Sequence, residues 1–248
     1  MVNWRINLLE ELVQKLCVWI EDKVTEAKAK GIVFGLSGGI DSAVVAALSI
    51  RIFPQNTLAI IMPCHSLEAD INDALGFINK FNIPYKIIDL SKVYDSFLHL
   101  LNNEKKGENI KLAEANIKPR LRMTNLYYFA NKLNYIVVGT GNKSELMIGY
   151  FTKYGDGGTD ILPLGNLVKT QVRELAEYLD IPKEIINKPP SAGLWKGQTD
   201  EEEIGISYEQ LDKYLRTGKL NNKIIEKEIQ DKIAKSAHKR ITPAIPFF

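Results

Sequence analysis

Cysteine, histidine and long apolar runs are all scarce in this chain. Its 248 residues include two cysteines, Cys17 and Cys64. They are far apart and belong to no CxxC or Cys/His cluster, which excludes a disulfide framework and a structural zinc site. A reducing, cytoplasmic setting is expected. Of the three histidines, His65 and His99 stand outside any motif and read as structural or surface residues. No run approaches the roughly 18 apolar residues of a membrane span. The start, "MVNWRINLLEEL", carries Glu10 and Glu11 where a signal peptide has its apolar core. Neither a membrane nor an export route is expected. An excess of one charge is missing too: 32 basic and 30 acidic residues leave a net charge of +2, so nothing calls for nucleic acid or an anionic surface.

What is present is ordinary for a globular enzyme, with 45% apolar and 25% charged residues. The length suits one α/β domain or at most two small ones. Leu9, Leu12, Val13, Leu16 and Ile20 recur at helical spacing, predicting an amphipathic helix over about residues 5 to 29 that Gly31 ends. Short β-rich runs follow at Ile32 to Leu36, Leu58 to Met62, Tyr85 to Leu90 and Tyr135 to Gly139, separated by helical patterns. This alternation predicts an α/β fold, a parallel sheet with helices on both faces. "NIKPRLRMTNLYYFANKL" reads as a helix with Pro119 in its first turn and Arg120 near its start. A further helix is predicted over about Val168 to Leu179, stopped by Pro182. From "NKPPSAGLWKGQTDEEEIG" onward, loops and two short helices are expected. No internal repeat is visible.

The stretch "GLSGGIDS", residues 35 to 42, joins a predicted strand to a predicted helix. A turn there, with backbone N–H groups pointing outward at the positive end of a helix, is an anion site of the kind that holds phosphate. Gly38 and Gly39 permit the close approach such a cradle needs, and Ser37 and Ser42 add hydroxyls. Asp41 is out of place beside phosphates unless a cation lies between, which assigns it to Mg²⁺. The chain lacks both G-x-x-x-x-G-K-[ST] and G-x-G-x-x-G, so this is neither a Walker A loop nor a dinucleotide fingerprint.

Ser37-Gly38-Gly39-Ile40-Asp41-Ser42 resembles the pyrophosphate loop of the N-type ATP pyrophosphatases, the adenine nucleotide alpha hydrolase-like group that splits ATP between its α and β phosphates to adenylylate a substrate. "KPRLRM", "VVGTGNKSE", "FTKYGDGGTDILPL", "LVKTQVREL", "PPSAGLWKGQTDEEEIG" and "HKR" follow in the order found in the NAD synthetases, and nearly the whole chain is similar to that family. "FTKYGDGGTD" is the most specific piece. Two positions differ from many ammonia-dependent members: Gly141-Asn142 stands where those carry Asp-His, and Leu126 where they carry glutamine.

The resemblance implies a ligase that amidates deamido-NAD to NAD with ammonia, through a deamido-NAD adenylate, releasing AMP and pyrophosphate. By the same resemblance Gly35, Leu36, Ser37, Gly38, Gly39, Ile40, Asp41 and Ser42 bind the ATP phosphates, with Thr140, Lys169 and Ser191 completing the ATP site. Asp41 and Glu145 ligate Mg²⁺, and Arg120, Lys153, Asp160, His238 and Lys239 hold deamido-NAD. No residue is assigned as acid, base or nucleophile, because linking a carboxylate to AMP supplies its leaving group and leaves the enzyme to position groups and neutralise charge.

Glutamine-dependent members carry a large N-terminal amidase domain. With the loop motif beginning by residue 35, residues 1–248 are expected to form a single synthetase domain without it, using free ammonia. The family is homodimeric with substrate sites near the interface, so a homodimer is expected; the stripe on the first helix serves either that contact or packing on its own sheet. Two other readings stay open: a related adenylating enzyme such as a tRNA thiolase, which calls for catalytic cysteines and a basic extension, and a non-catalytic nucleotide-binding protein, which has no need of Asp41 or Glu145.

Overall fold

The computed structural model describes residues 2–101, 108–195 and 197–246. Along the chain run α1 (Val2–Glu26), β1 (Gly31–Gly35), α2 (Ile40–Ile52), β2 (Thr57–Ile61), α3 (Glu68–Phe81), β3 (Tyr85–Ile87), α4 (Ser91–Leu101), α5 (Glu108–Ala115), α6 (Ile117–Leu133), β4 (Tyr135–Val137), α7 (Lys143–Ile148), α8 (Lys169–Tyr178), α9 (Lys183–Ile186), α10 (Asp200–Ile204), α11 (Tyr208–Thr217) and α12 (Lys223–Lys235). The strands form one parallel sheet in the order β3-β2-β1-β4, with Ile32 opposite Thr57 and Val33 opposite Val137.

The pleat sorts side chains to two cores. Ile32, Phe34, Ala59 and Ile61 pack under α1, α2, α3, α8 and α9. Val33, Leu58 and Ile60 face the other way, against Tyr94 of α4 and Leu126, Phe129 and Ala130 of α6. β1 and β2 are covered on both faces, which is why they read as unbroken apolar runs rather than alternating ones. The α1 stripe belongs to this core: Val13, Ile20 and Val24 are buried. α3 and α6 both end on a left-handed asparagine, Asn82 and Asn134, a conformation this residue tolerates.

The C-terminal region differs from the expectation of two short helices. It holds α10, α11 and a thirteen-residue α12, gathered around Ile148, Ile204, Ile206, Leu211 and Ile229. In α12, Ile225, Ile229 and Ile233 repeat every fourth residue and form one stripe, but the lysines and glutamates between them dilute that period in the sequence. Burying Ile229 alone is worth about 1.5–3 kcal/mol.

Chain direction across the sheet reverses between β1 and β4, since β2 and β3 lie on one side of β1 and β4 on the other. In open parallel sheets this opens a crevice beyond the carboxyl ends of the two strands. Beyond β4, Val138 pairs with Ile161, and Gly139 N–H donates to the Ile161 carbonyl at 2.8 Å, which brings Thr159 to one side of the crevice.

Candidate active site

The turn after β1 is built for an anion. Gly38 has φ +79°, and a Cβ there would sit 2.3 Å from the Asp70 carbonyl oxygen. Ser42 Oγ donates to the Gly39 carbonyl at 2.9 Å and accepts from Ser37 N–H at 3.2 Å. Ser37 Oγ lies 3.1 Å from Ser42 Oγ and accepts from Gly39 N–H at 3.2 Å. The two hydroxyls thus brace the turn, leaving the first backbone N–H groups of α2, which have no intrahelical acceptor, as the donors for a ligand.

Asp41, in the first turn of α2, meets residues from two other helix starts. Lys169 Nζ, at the first position of α8, lies 2.5 Å from Asp41 Oδ2 and 3.1 Å from Glu145 Oε1. Asn142 joins the carboxylates from behind: its Nδ2 donates to Asp41 Oδ1 at 2.8 Å, and it caps α7 in a reciprocal box with Glu145. Glu145 N–H donates to Asn142 Oδ1 at 3.1 Å, and Asn142 N–H donates to Glu145 Oε2 at 3.2 Å. Asp212 of α11 then locks two helix starts together, accepting from Ser144 Oγ and, at 2.7 Å, from Thr170 N–H. Ser144 Oγ in turn accepts from Lys169 N–H at 3.0 Å.

The electrostatics follow from this crowding. Burial pushes the Glu145 carboxyl up to about 7, against the pull of Lys169 and with Asp41's charge adding to the rise. Burial disfavours the Lys169 ammonium, but Asp41 and Glu145 outweigh it and hold that group above the usual lysine range. Lys169 Nζ also lies 5.1 Å from the centroid of the Tyr208 ring. Tyr208 Oη donates to Asp200 Oδ2 at 2.9 Å. Asp200 is 3% exposed, and its Oδ1 has no hydrogen-bond partner among the described residues.

Asp41, Glu145, Lys169 and Asp200 line a cavity of about 510 Å³ that also reaches Met62, Arg122, Leu126 and Thr140. One wall is the loop after α9. Lys188 ties it to α3 through Asp70 at 2.6 Å and through Asp73. Lys118 Nζ donates to the Leu194 carbonyl at 2.8 Å. Ser191, in the same wall, accepts from Gly193 N–H at 3.1 Å.

The residues assigned to ATP therefore converge: Gly35 to Ser42, Thr140, Lys169 and Ser191 all line this cavity, as does Glu145. The five assigned to deamido-NAD do not all join them. Lys239 lines the cavity, its Nζ donating to the Gly149 and Phe151 carbonyls at 2.7 Å each. Arg120, Lys153 and His238 form a chain on the adjoining surface, with Arg120 Nη2 donating to the Lys153 carbonyl at 3.4 Å and Lys153 Nζ to the His238 carbonyl at 2.7 Å. Asp160 accepts from Val137 N–H at 2.7 Å and Tyr127 Oη at 2.9 Å.

Sequence reasoning missed Asn142, Asp200, Tyr208 and Asp212. Asn142 had a readable signal, since Asn-x-x-Glu before an apolar run is a helix start. Tyr208 lies 63 residues from Glu145 and Asp212 lies 68 from Ser144, and no local pattern marks them.

Asp41 and Glu145 converge on a single cation, the Lys169 ammonium. Among the described residues no group of three or more His, Cys, Asp or Glu side chains is arranged around a metal position. Two carboxylates beside an anion cradle fit Mg²⁺, which is commonly held by one or two carboxylates with phosphate and water completing its shell.

Comparison with known proteins agrees with this geometry. The profile of the NAD synthase family matches residues 12–244. An NH3-dependent NAD+ synthetase from Carboxydothermus hydrogenoformans is 51% identical over 247 residues, covering 99% of this chain and 98% of that one. Among solved structures, NMN synthetase from Francisella tularensis superposes with a TM-score of 0.91 at 43% identity, over 97% of this chain and 99% of that one. NH3-dependent NAD synthetase from Campylobacter jejuni superposes with a TM-score of 0.78 at 34% identity, over 96% and 99%.

Proposed function

We infer the working of this site from one premise: the chain belongs to the NAD synthase family, and its activity is the ammonia-dependent synthesis of NAD+, a ligase reaction. ATP binds with its phosphates on the first N–H groups of α2, at the turn braced by Ser37 and Ser42, and its adenosine toward Met62, Arg122 and Leu126. The nicotinate carboxylate of deamido-NAD attacks the α-phosphorus, the bond to the β-phosphate breaks, and pyrophosphate leaves. Ammonia then adds to the activated carbonyl, AMP departs with one former carboxylate oxygen, and loss of a proton leaves the carboxamide.

The observation that carries this reading is the meeting of the phosphate turn with Asp41, Glu145 and Lys169 in one crevice. Asp41 and Glu145 would hold Mg²⁺ there; the ion, when bound, neutralises phosphate charge in the step that expels pyrophosphate. Lys169 adds a point charge. Thr140 and Ser191 contact ATP. Arg120, Lys153, Asp160, His238 and Lys239 bind deamido-NAD along the surface that continues from the cavity, and Asp160 also holds the end of β4.

The uninterrupted family match supports reading residues 1–248 as a single synthetase domain. Tyr85 and Ile87 on the edge strand, Val93, Phe97 and Leu100 on α4 and Tyr128 on α6 are exposed. Such apolar exposure beside a sheet edge supports a homodimer formed there. Cys17 and Cys64 are free thiols, in keeping with a cytoplasmic location; among the described residues no helix is long and apolar enough to cross a membrane.

One observation favours a second substrate: the Francisella NMN synthetase superposes more closely than the Campylobacter NAD synthetase. The same chemistry would then also amidate nicotinate mononucleotide. The test is product formation by the purified chain with ATP and Mg²⁺, using ammonium or glutamine as donor and deamido-NAD or nicotinate mononucleotide as acceptor. NAD+ from ammonium with deamido-NAD is expected, and kcat/KM for the two acceptors ranks them. No product with either acceptor would overturn the reading.

A further inference from the structure

Lys169 occupies the place between Asp41 and Glu145 that a divalent cation would need. Resting on the metal assignment above, we propose that Lys169 holds this place until the metal enters, and that in the metal-bound state without nucleotide Asp200 receives its ammonium. Asp200 is a positioning residue in this scheme: it acts through the Lys169 ammonium.

The geometry carries the idea in three steps. An ammonium lying 2.5 Å from Asp41 Oδ2 and 3.1 Å from Glu145 Oε1 neutralises two crowded carboxylates without a metal. A divalent ion held by Asp41 and Glu145 would set like charge beside the ammonium, so Lys169 would then need another anion within reach of its stem. Its backbone is fixed, since Lys169 N–H donates to Ser144 Oγ at 3.0 Å, but four methylenes let the ammonium swing several ångströms, as is usual for lysine.

Asp200 is the group prepared for that swing. It lines the same cavity as Asp41, Glu145 and Lys169. Tyr208, whose ring lies 5.1 Å from the ammonium, fixes Asp200 Oδ2 through its hydroxyl at 2.9 Å. Asp200 N–H donates to the Pro190 carbonyl at 2.9 Å, which anchors the residue to the cavity wall. Among the described residues Oδ1 is left buried and without a hydrogen-bond partner, a costly arrangement for a carboxylate unless a donor arrives in another state.

The test is Mn²⁺ binding without nucleotide, read by electron paramagnetic resonance, with circular dichroism to check folding. Lys169→Gln should bind Mn²⁺ at least about tenfold more tightly than the unaltered chain, because the competitor is gone. Asp200→Asn should bind it about fivefold more weakly, because the displaced ammonium has no acceptor. In a Lys169→Gln background Asp200→Asn should change nothing beyond twofold. An equal weakening in both backgrounds makes Asp200 a simple source of field and overturns the proposal, as does Mn²⁺ affinity in Lys169→Gln no greater than in the unaltered chain. If Lys169→Gln does not fold, unchanged affinity in Asp200→Asn alone overturns it. Asp41→Asn separates the two levels: unchanged Mn²⁺ binding there removes the metal assignment itself, whereas a loss there with no gain in Lys169→Gln removes only the exchange.

Discussion

Asn142 Nδ2 donates to Asp41 Oδ1 at 2.8 Å, joining the start of α7 to the start of α2 across the crevice. Because the same side chain caps α7 and exchanges hydrogen bonds with Glu145, one buried amide fixes the spacing of both carboxylates. Asn142→Ala should therefore slow pyrophosphate release by about tenfold or more and cost about 1–3 kcal/mol of stability, from the lost cap and the unpaired buried groups. Thermal unfolding and a pyrophosphate-release assay check the two effects together.

Asp41→Asn keeps volume and removes charge. The protein should fold, with pyrophosphate release reduced by about a hundredfold or more, the scale seen when a preorganised electrostatic contact to a transition state is lost. Normal turnover in that variant removes Asp41 from the metal site.

Gly38→Ala places a methyl 2.3 Å from the Asp70 carbonyl oxygen in a residue with φ +79°. The left-handed backbone alone costs about 1–2 kcal/mol, and the contact forces the turn to move. Denaturant unfolding should show a loss of at least that size, and ATP binding by calorimetry should fall with it.

Lys188→Ala releases the wall loop from Asp70 and Asp73. All three side chains are about a quarter exposed, so the stability change should stay under about 1 kcal/mol. Steady-state kinetics should instead show a severalfold rise in KM for ATP with kcat nearly unchanged, since Ser191 rides on that loop. A fall in kcat alone would place Lys188 in the chemical step.

The sheet and its phosphate turn were legible because both are local: apolar strands, glycines and a helix start follow one another within twenty residues. Thr140, Glu145 and Lys169 were legible only through family resemblance, since nothing in their own surroundings reveals that three helix starts converge. Tyr208 and Asp212 were hidden for a related reason. They lie on α11, whose register against α7 and α8 is a matter of tertiary packing. The α12 stripe was masked by charge, and Ser37 and Ser42 proved to be braces because hydroxyl direction depends on a turn geometry that composition does not encode.

The adenylate route is tested most directly by the fate of oxygen. Deamido-NAD carrying ¹⁸O in its nicotinate carboxylate is turned over with ATP, Mg²⁺ and ammonium, and the products are read by mass spectrometry. Attack of that carboxylate on the α-phosphorus predicts one ¹⁸O in each AMP and none in pyrophosphate. AMP without label, or label in a phosphate released from the other end of ATP, would contradict the account.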